Sequence, residues 1–170
     1  MEREKPMSKL LIKQKVFAIR DKYNVYDEME NPKYFVKGEL FRLSHHIHIY
    51  DREGGVELGY IQEKLFKLMR EFEISINGVP MGIIKKQFAL FRPKYNIDYK
   101  GWRLEGNFLQ WNYSIYEGSR LVVKIDRKLF RWGDTYVLDV ANPEDELPAL
   151  MIAIAMDAAR ESEQAANSGG

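Results

Sequence analysis

Cysteine is absent from this sequence of 170 residues. Disulfide bonds, thiolate metal sites and a cysteine nucleophile are therefore excluded, and the absence fits an intracellular compartment. An excess of charge of one sign is also missing, because 26 basic and 25 acidic side chains give a formal net charge of +1. Since a protein dedicated to duplex DNA usually has a clear basic excess, nucleic acid ranks last among the partners considered.

The N-terminal segment MEREKPMSKLLIK is charged and lacks the apolar region of a signal peptide. Hydrophobic residues make up 45% of the chain and aromatic residues 13%, which is typical of a globular protein rather than a disordered one. The length favours one domain. We predict an N-terminal extension over residues 1–7, a single domain over 8–160 and a flexible tail over 161–170.

A strand-like motif recurs at intervals of about 25 residues in the first half of the chain. It is seen as LIKQKVF ending at Phe17, FVKGELF ending at Phe41 and YIQEKLF ending at Phe66, with related segments ending at Phe91 and Phe130. Apolar and polar side chains alternate in these segments, which is typical of half-buried strands. Each is followed, after a polar break, by a shorter alternating stretch such as HIHIYD.

Turn signals separate these strands. Asn77-Gly78 is the strongest of them, because both residues tolerate the positive φ of a two-residue hairpin turn. Two strands in each of six units give about twelve strands in total. Because closure removes exposed strand edges, we predict a mainly β fold in which these strands form a closed antiparallel barrel.

One segment, LPALMIAIAMDAA, is apolar on every side. A membrane-spanning helix needs about 20 apolar residues, whereas this segment has 13, with Asp157 among them. A helix that is apolar all round is otherwise buried in a core. We expect a central hydrophobic helix that follows a cap at Asn142, ends near Arg160 and fills a barrel too wide for strand side chains alone.

Several of these segments together resemble one known family, the LURP-one-related family. The resemblance is carried by LIKQKVF, YFVKGELF, PKYNIDY and WGDTYVLDVANPEDELPALMIAIAMDAA, and it covers about residues 8–160. That family belongs to the Tubby C-terminal superfamily, together with the phospholipid scramblases. The resemblance implies a twelve-stranded antiparallel barrel around a central C-terminal helix, in agreement with the periodicity.

The resemblance implies little about activity. Tubby proteins bind phosphoinositides through basic residues, but those residues cannot be aligned on this chain. A scramblase-like activity is suggested by kinship alone, and the chain lacks the long flanking region and the Cys-rich segment associated with scramblases.

No constellation of residues points to catalysis or to a cofactor. The serines lie in no elbow-like motif, and the glycines are scattered in turns rather than grouped in a phosphate-binding loop. His46 and His48 would share one face of a strand, and Asp51 could join them, but a metal site needs more ligands than this. We therefore expect a protein that is not an enzyme and that holds neither cofactor nor metal, with these histidines and neighbouring His45 as ordinary strand residues.

A basic cluster with aromatic neighbours is the strongest candidate for a binding site. Each cation near an anionic membrane surface contributes about 1 kcal/mol. The competing interpretation is that the lysines form the solvated outer face of the barrel, paired with acidic residues such as Glu39, Glu63 and Asp126. The candidate site residues are Lys85, Lys86, Arg92 and Lys94, interleaved with Phe88, Phe91 and Tyr95, with Lys67 and Arg70 on the preceding loop.

Two functions from different classes follow from these observations. The first is a binding module that engages an anionic phospholipid surface or a protein partner through Lys85, Lys86, Arg92 and Lys94. Such a protein would be cytoplasmic and peripheral at the inner membrane surface. The alternative is an intracellular barrel that binds a small apolar ligand in its interior, as many barrels do.

Overall fold

The structure, a computed structural model, describes residues 8–13, 22–41, 44–52, 55–64, 69–131 and 133–169. The predicted extension 1–7 lies outside the described residues, as do Phe17, Phe66 and Lys67. Twelve strands and one long helix make up most of the described chain. The strands are β1 Ser8–Lys13, β2 Lys22–Asp27, β3 Pro32–Phe41, β4 Ser44–Tyr50, β5 Glu57–Lys64, β6 Glu71–Ile76, β7 Val79–Gln87, β8 Lys94–Asp98, β9 Trp102–Asn107, β10 Asn112–Glu117, β11 Arg120–Phe130 and β12 Gly133–Val140.

The strands form one antiparallel sheet that curls into a nearly closed barrel. Consecutive strands are neighbours from β1 to β8 and again from β9 to β12. The first and last strands pair with each other, from Ser8 opposite Val140 to Lys13 opposite Thr135. Within the described residues no ladder joins β8 to β9, so the barrel has a seam between two consecutive strands. The predicted strand number and antiparallel architecture are confirmed.

The predicted hairpin at Asn77-Gly78 is confirmed. The two residues have φ values of 50° and 76°, as a two-residue turn of this kind requires. Ile76 pairs with Val79 directly across the turn, so β6 and β7 form a tight hairpin.

The apolar segment forms helix α1, Glu146–Ser168, preceded by a short 3-10 turn at Pro143–Asp145. Asn142 stands before this turn as expected, but its side chain makes no capping hydrogen bond. Instead, the first residues of α1 are held by the barrel. The Glu146 carboxylate accepts hydrogen bonds from Lys33 Nζ at 2.9 Å and from the Tyr34 hydroxyl at 2.5 Å.

Helix α1 runs through the barrel and fills it. Its residues from Ala149 to Met156, followed by Ala158 and Ala159, are at most 1% exposed. Strand side chains such as Ile47, Ile61 and Ile125 turn inward to meet them in one continuous core. In the described chain, no helix combines the length and the hydrophobicity that a bilayer crossing requires. The prediction of a buried central helix is confirmed.

The expected end of this helix near Arg160 is wrong, because α1 continues to Ser168. Ser162 accepts a hydrogen bond from Arg70 at 2.8 Å, and the Glu163 carboxylate lies 2.5 Å from Lys86 Nζ. These contacts stabilise the last two turns of α1, which follow the apolar segment of the sequence. The flexibility predicted for 161–170 stays a prediction.

Leu150 offers a direct test of the buried helix. Its side chain is fully buried, so Leu150→Asp would place an uncompensated charge in the core, and we expect this variant not to fold. Leu150→Ala should cost about 2–5 kcal/mol of unfolding free energy, measured by urea denaturation.

Leu90→Asp is the matched control, because Leu90 is 80% exposed in the loop between β7 and β8 and is not in a strand. It should change the unfolding free energy by less than about 0.5 kcal/mol. A folded Leu150→Asp variant with the wild-type melting temperature would contradict the placement of α1.

Asp157 is a buried acidic residue in the apolar part of α1 and is 2% exposed. Arg160 holds its Oδ1 atom through Nη2 at 2.8 Å and Nε at 3.0 Å. Burial raises the pKa of Asp157 to about 7, although the neighbouring Arg160 lowers it. Tyr23 and Tyr113 face the same carboxyl, and burial together with its charge raises the pKa of both phenols.

Asp157 should therefore make stability depend on pH. Between about pH 4 and pH 7 the folded chain keeps a proton that an unfolded Asp, with a pKa of about 3.9, has lost. Stability should fall as the pH rises through this window, by up to about 4 kcal/mol for a shift of this size. Asp157→Asn should remove most of this decline, measured by urea unfolding at several pH values.

Glu144→Gln is the control for this experiment, because Glu144 is exposed in the turn before the helix and is not among the charges that shift the pKa of Asp157. That variant should keep the wild-type decline in stability. If the Asp157→Asn protein and the wild type lost stability in parallel, the Asp157 carboxyl would not be the titrating group.

Candidate functional site

The loop between β7 and β8, residues 88–93, exposes three large apolar side chains. Phe88 is 83% exposed, Leu90 80% and Phe91 96%. Single exposed apolar residues are common on protein surfaces, but a group of them marks an interaction site. We call residues 88–93 the aromatic loop. It lies at the lower end of the barrel, where α1 emerges.

Local sequence keeps these side chains outside the barrel. Pro93 lacks a backbone N–H and cannot donate to a sheet ladder, and β8 begins only after it, at Lys94. Tyr95, which follows the loop, packs edge-on against Phe108 with ring centroids 5.5 Å apart. Unlike Tyr95, the three apolar side chains of the loop remain exposed to solvent.

The structure divides the predicted basic cluster into two pairs. In the first pair, both cations are neutralised by the protein. Lys85 Nζ lies 3.4 Å from the Glu71 carboxylate on the neighbouring strand, and Lys86 Nζ lies 2.5 Å from that of Glu163 on α1. Lys85 and Lys86 are adjacent in sequence and alternate along β7, so they face opposite sides of the barrel wall.

The second pair, Arg92 and Lys94, is exposed and makes no ion pair within the part of the chain that the structure describes. Arg92 borders two depressions on either side of the aromatic loop. One has a volume of about 390 Å³ and also contacts Lys86 and Glu163. The other has a volume of about 540 Å³ and also contacts Lys94. Between Glu73 and Asp98 the chain has no acidic residue, so the loop itself is purely basic and apolar.

Tyr95 is not part of the exposed aromatic set, contrary to expectation. It is half-buried, and its hydroxyl donates a hydrogen bond to Glu163 Oε1 at 2.9 Å. Burial, followed by the Glu163 carboxylate, raises the pKa of Tyr95. Glu163 thus receives both Lys86 and Tyr95, and sequence reasoning missed it because the helix was expected to stop before it.

Arg70 also turns away from the candidate surface. Its Nη1 atom contacts both Ser162 and the carboxylate of Glu63. Glu63 is only 1% exposed and also contacts His45. Glu63 is therefore an internal residue and not the partner of a surface lysine that the sequence predicted.

The remaining histidines lie on the outer face of β4, as predicted. His48 Nδ1 is 2.9 Å from the Glu57 carboxylate, and His46 Nδ1 contacts the Tyr60 hydroxyl. The described residues contain no group of three His, Asp or Glu side chains placed to hold a metal ion. That the protein binds no metal stays a prediction.

Other outer-face lysines follow the solvated interpretation. Lys37 pairs with Glu39 at 2.6 Å, and Lys124 pairs with Asp126 at 3.2 Å. These two strands therefore carry neutralised charge pairs, whereas Arg92 and Lys94 stand beside exposed apolar side chains and form the candidate site with the aromatic loop.

Comparisons with known proteins agree with this fold. A model of the LURP-one-related family matches residues 8–157. Uncharacterized protein YxjI of Bacillus subtilis (strain 168) is 31% identical over 151 residues, which are 89% of this chain and 93% of that relative. An X-ray structure of a protein from Arabidopsis thaliana has a TM-score of 0.60 at 15% identity and covers 92% of each chain, which shows a shared fold.

The family match begins at the first residue of β1 and ends within the buried part of α1. It therefore includes all twelve strands and most of the core segment of the helix, as the sequence motifs predicted. The chain belongs to the LURP-one-related family.

Proposed function

We propose that this protein is a non-enzymatic binding module that attaches to anionic phospholipid surfaces through the aromatic loop. The observation that carries the proposal is the exposure of Phe88, Leu90 and Phe91 beside two cations, Arg92 and Lys94, without ion-pair partners in the described chain. Apolar side chains can enter the boundary between headgroups and acyl chains while the cations stay with the phosphates.

The expected energies support reversible attachment. Burying one such side chain contributes about 1.5–3 kcal/mol, and each cation near an anionic surface about 1 kcal/mol. Either contribution alone would be weak, and a stable peripheral contact requires both. Because anionic lipids are enriched in the cytoplasmic leaflet, the proposal includes a cytoplasmic protein at the inner membrane surface. The alternative is that the same loop binds a protein partner, and the vesicle experiment distinguishes this from lipid binding.

The double variant Phe88→Ser, Phe91→Ser should lose membrane binding. We expect the wild-type protein to co-sediment with vesicles containing phosphatidylserine and much less with pure phosphatidylcholine. Removal of both rings should weaken binding to the anionic vesicles at least tenfold, because most of the insertable apolar surface is gone.

Met29→Ser is the matched control for this loss. Met29 is 78% exposed but lies in the β2–β3 turn, at the end of the barrel where α1 begins. Its substitution should leave vesicle binding unchanged. Equal, negligible binding of the wild type to both kinds of vesicle would refute the lipid proposal and leave the protein partner.

Glu163→Gln should strengthen binding to the same anionic vesicles. Its carboxylate neutralises Lys86, so its removal adds a third uncompensated cation beside the depression that Lys86 shares with Arg92. One additional cation near the surface corresponds to about a fivefold gain in affinity.

Glu161→Gln changes the net charge equally two residues away on the helix and serves as the control. It should produce a smaller gain, because Glu161 is not in the depression that holds Lys86. Identical gains for the two variants would show that overall charge, not the Lys86 contact, sets the affinity.

A further inference from the structure

The seam between β8 and β9 is a tight hairpin whose strands separate. Lys100 and Gly101 have φ values of 48° and 66°, and the Trp102 backbone N–H donates to the Tyr99 carbonyl at 2.9 Å. These are the features of a two-residue hairpin turn. No ladder continues from this turn within the described residues, so the strands diverge toward the lower end of the barrel.

A slot of about 370 Å³ opens between these strands and reaches the central helix. Met156 of α1 lies at its floor, 1% exposed to solvent. Apolar side chains of the two strands and of the 3-10 turn Phe108–Gln110 form its walls, and polar side chains of the strands form its rim. The walls are Ile97, Trp102, Leu104 and Phe108, and the rim includes Lys94, Asn96 and Arg103.

We propose that this slot binds a fatty acid, with about twelve carbons of its alkyl chain between β8 and β9 and the carboxylate at Lys94. Lys94 is exposed at the wide end of the slot and has no ion pair in the described chain. Arg103, at the narrow end, is already held by the Glu105 carboxylate at 2.7 Å. Charge therefore orients the ligand with its acid group at the lower end.

The slot suits an alkyl chain better than an added strand. Next to the turn, where Tyr99 and Trp102 lie within about 7 Å of each other, there is no room for an inserted strand, which would need two strand spacings, about 9.6 Å. An alkyl chain has no backbone to pair and can lie against the apolar walls, although Ile97, Trp102 and Phe108 are at most 7% exposed before it enters. At about 30 Å³ for a group the size of a water molecule, the slot holds on the order of a dozen such groups.

This inference does not rest on the proposed membrane contact. It also differs from a ligand in the barrel lumen, because α1 occupies the lumen and the slot passes through the wall beside it. The protein could bind a fatty acid without attaching to vesicles, and it could attach to vesicles without binding a fatty acid.

The test uses cis-parinarate, a fatty acid whose fluorescence rises in an apolar site, with laurate as competitor. Because the natural chain has no cysteine, Asn96→Cys and Asp98→Cys can each be labelled at one position with a bulky maleimide. Both residues are exposed on β8, but only Asn96 lines the slot. Labelled Asn96→Cys should bind parinarate at least tenfold more weakly, while labelled Asp98→Cys binds as the wild type does.

Two further variants locate the ligand. Lys94→Gln should weaken laurate binding about two- to fivefold, as expected for one exposed ion pair, and should leave binding of uncharged dodecanol unchanged. The double variant Phe88→Ser, Phe91→Ser should bind parinarate as the wild type does, even though it no longer binds anionic vesicles.

Three results would overturn the proposal. Normal binding by labelled Asn96→Cys would show that the slot is not the site. Loss of parinarate binding in the aromatic-loop variant would move the ligand to the loop. No saturable binding by the wild-type protein would reject a fatty acid in favour of another occupant, such as an extended peptide along a strand edge.

Discussion

The packing of α1 inside the barrel is the constraint on which the rest of the structure depends. A barrel of twelve strands is too wide to be filled by its own side chains, and α1 supplies the missing core with a run of small and branched residues that are almost fully buried. Because the helix comes last in the chain, the strands enclose a segment that is made after them. The occupied lumen leaves loops, outer faces and the seam as the places where another molecule can bind.

Burying a helix in this way requires its polar ends to be paired. At the upper end the Glu146 carboxylate is held by Lys33 and Tyr34. At the lower end Glu163 is held by Lys86 and Tyr95. A buried charge without such partners would be costly, so these contacts stabilise the helix at both ends of the barrel. They also remove Lys86 from the free surface, which links the core packing directly to the composition of the candidate site.

Periodic and local features of the fold could be predicted from the sequence. The alternation of apolar and polar residues predicted the strands, and Asn77-Gly78 predicted a hairpin. The apolar run from Leu147 predicted the buried helix. Features that depend on distant contacts could not be predicted. The Tyr95–Glu163 hydrogen bond joins residues 68 positions apart, so no local pattern showed that Tyr95 turns inward. The seam is a missing pairing between two strands that each look ordinary in sequence.

The two proposed binding regions are neighbours, and this follows from the same constraint. Gln87 and Pro93 border both the depression at the aromatic loop and the slot in the seam. Strand β8 is short, and its free edge begins immediately after the loop that carries the exposed rings. An unpaired edge is normally protected by charge or by cover, and Lys94 and Asp98 supply charge on β8. Because α1 already fills the lumen, neither the aromatic loop nor the free edge of β8 can pack inside the barrel. Both therefore remain exposed at the same end of the barrel, where a lipid bilayer or a fatty acid released from it could contact the two regions at once.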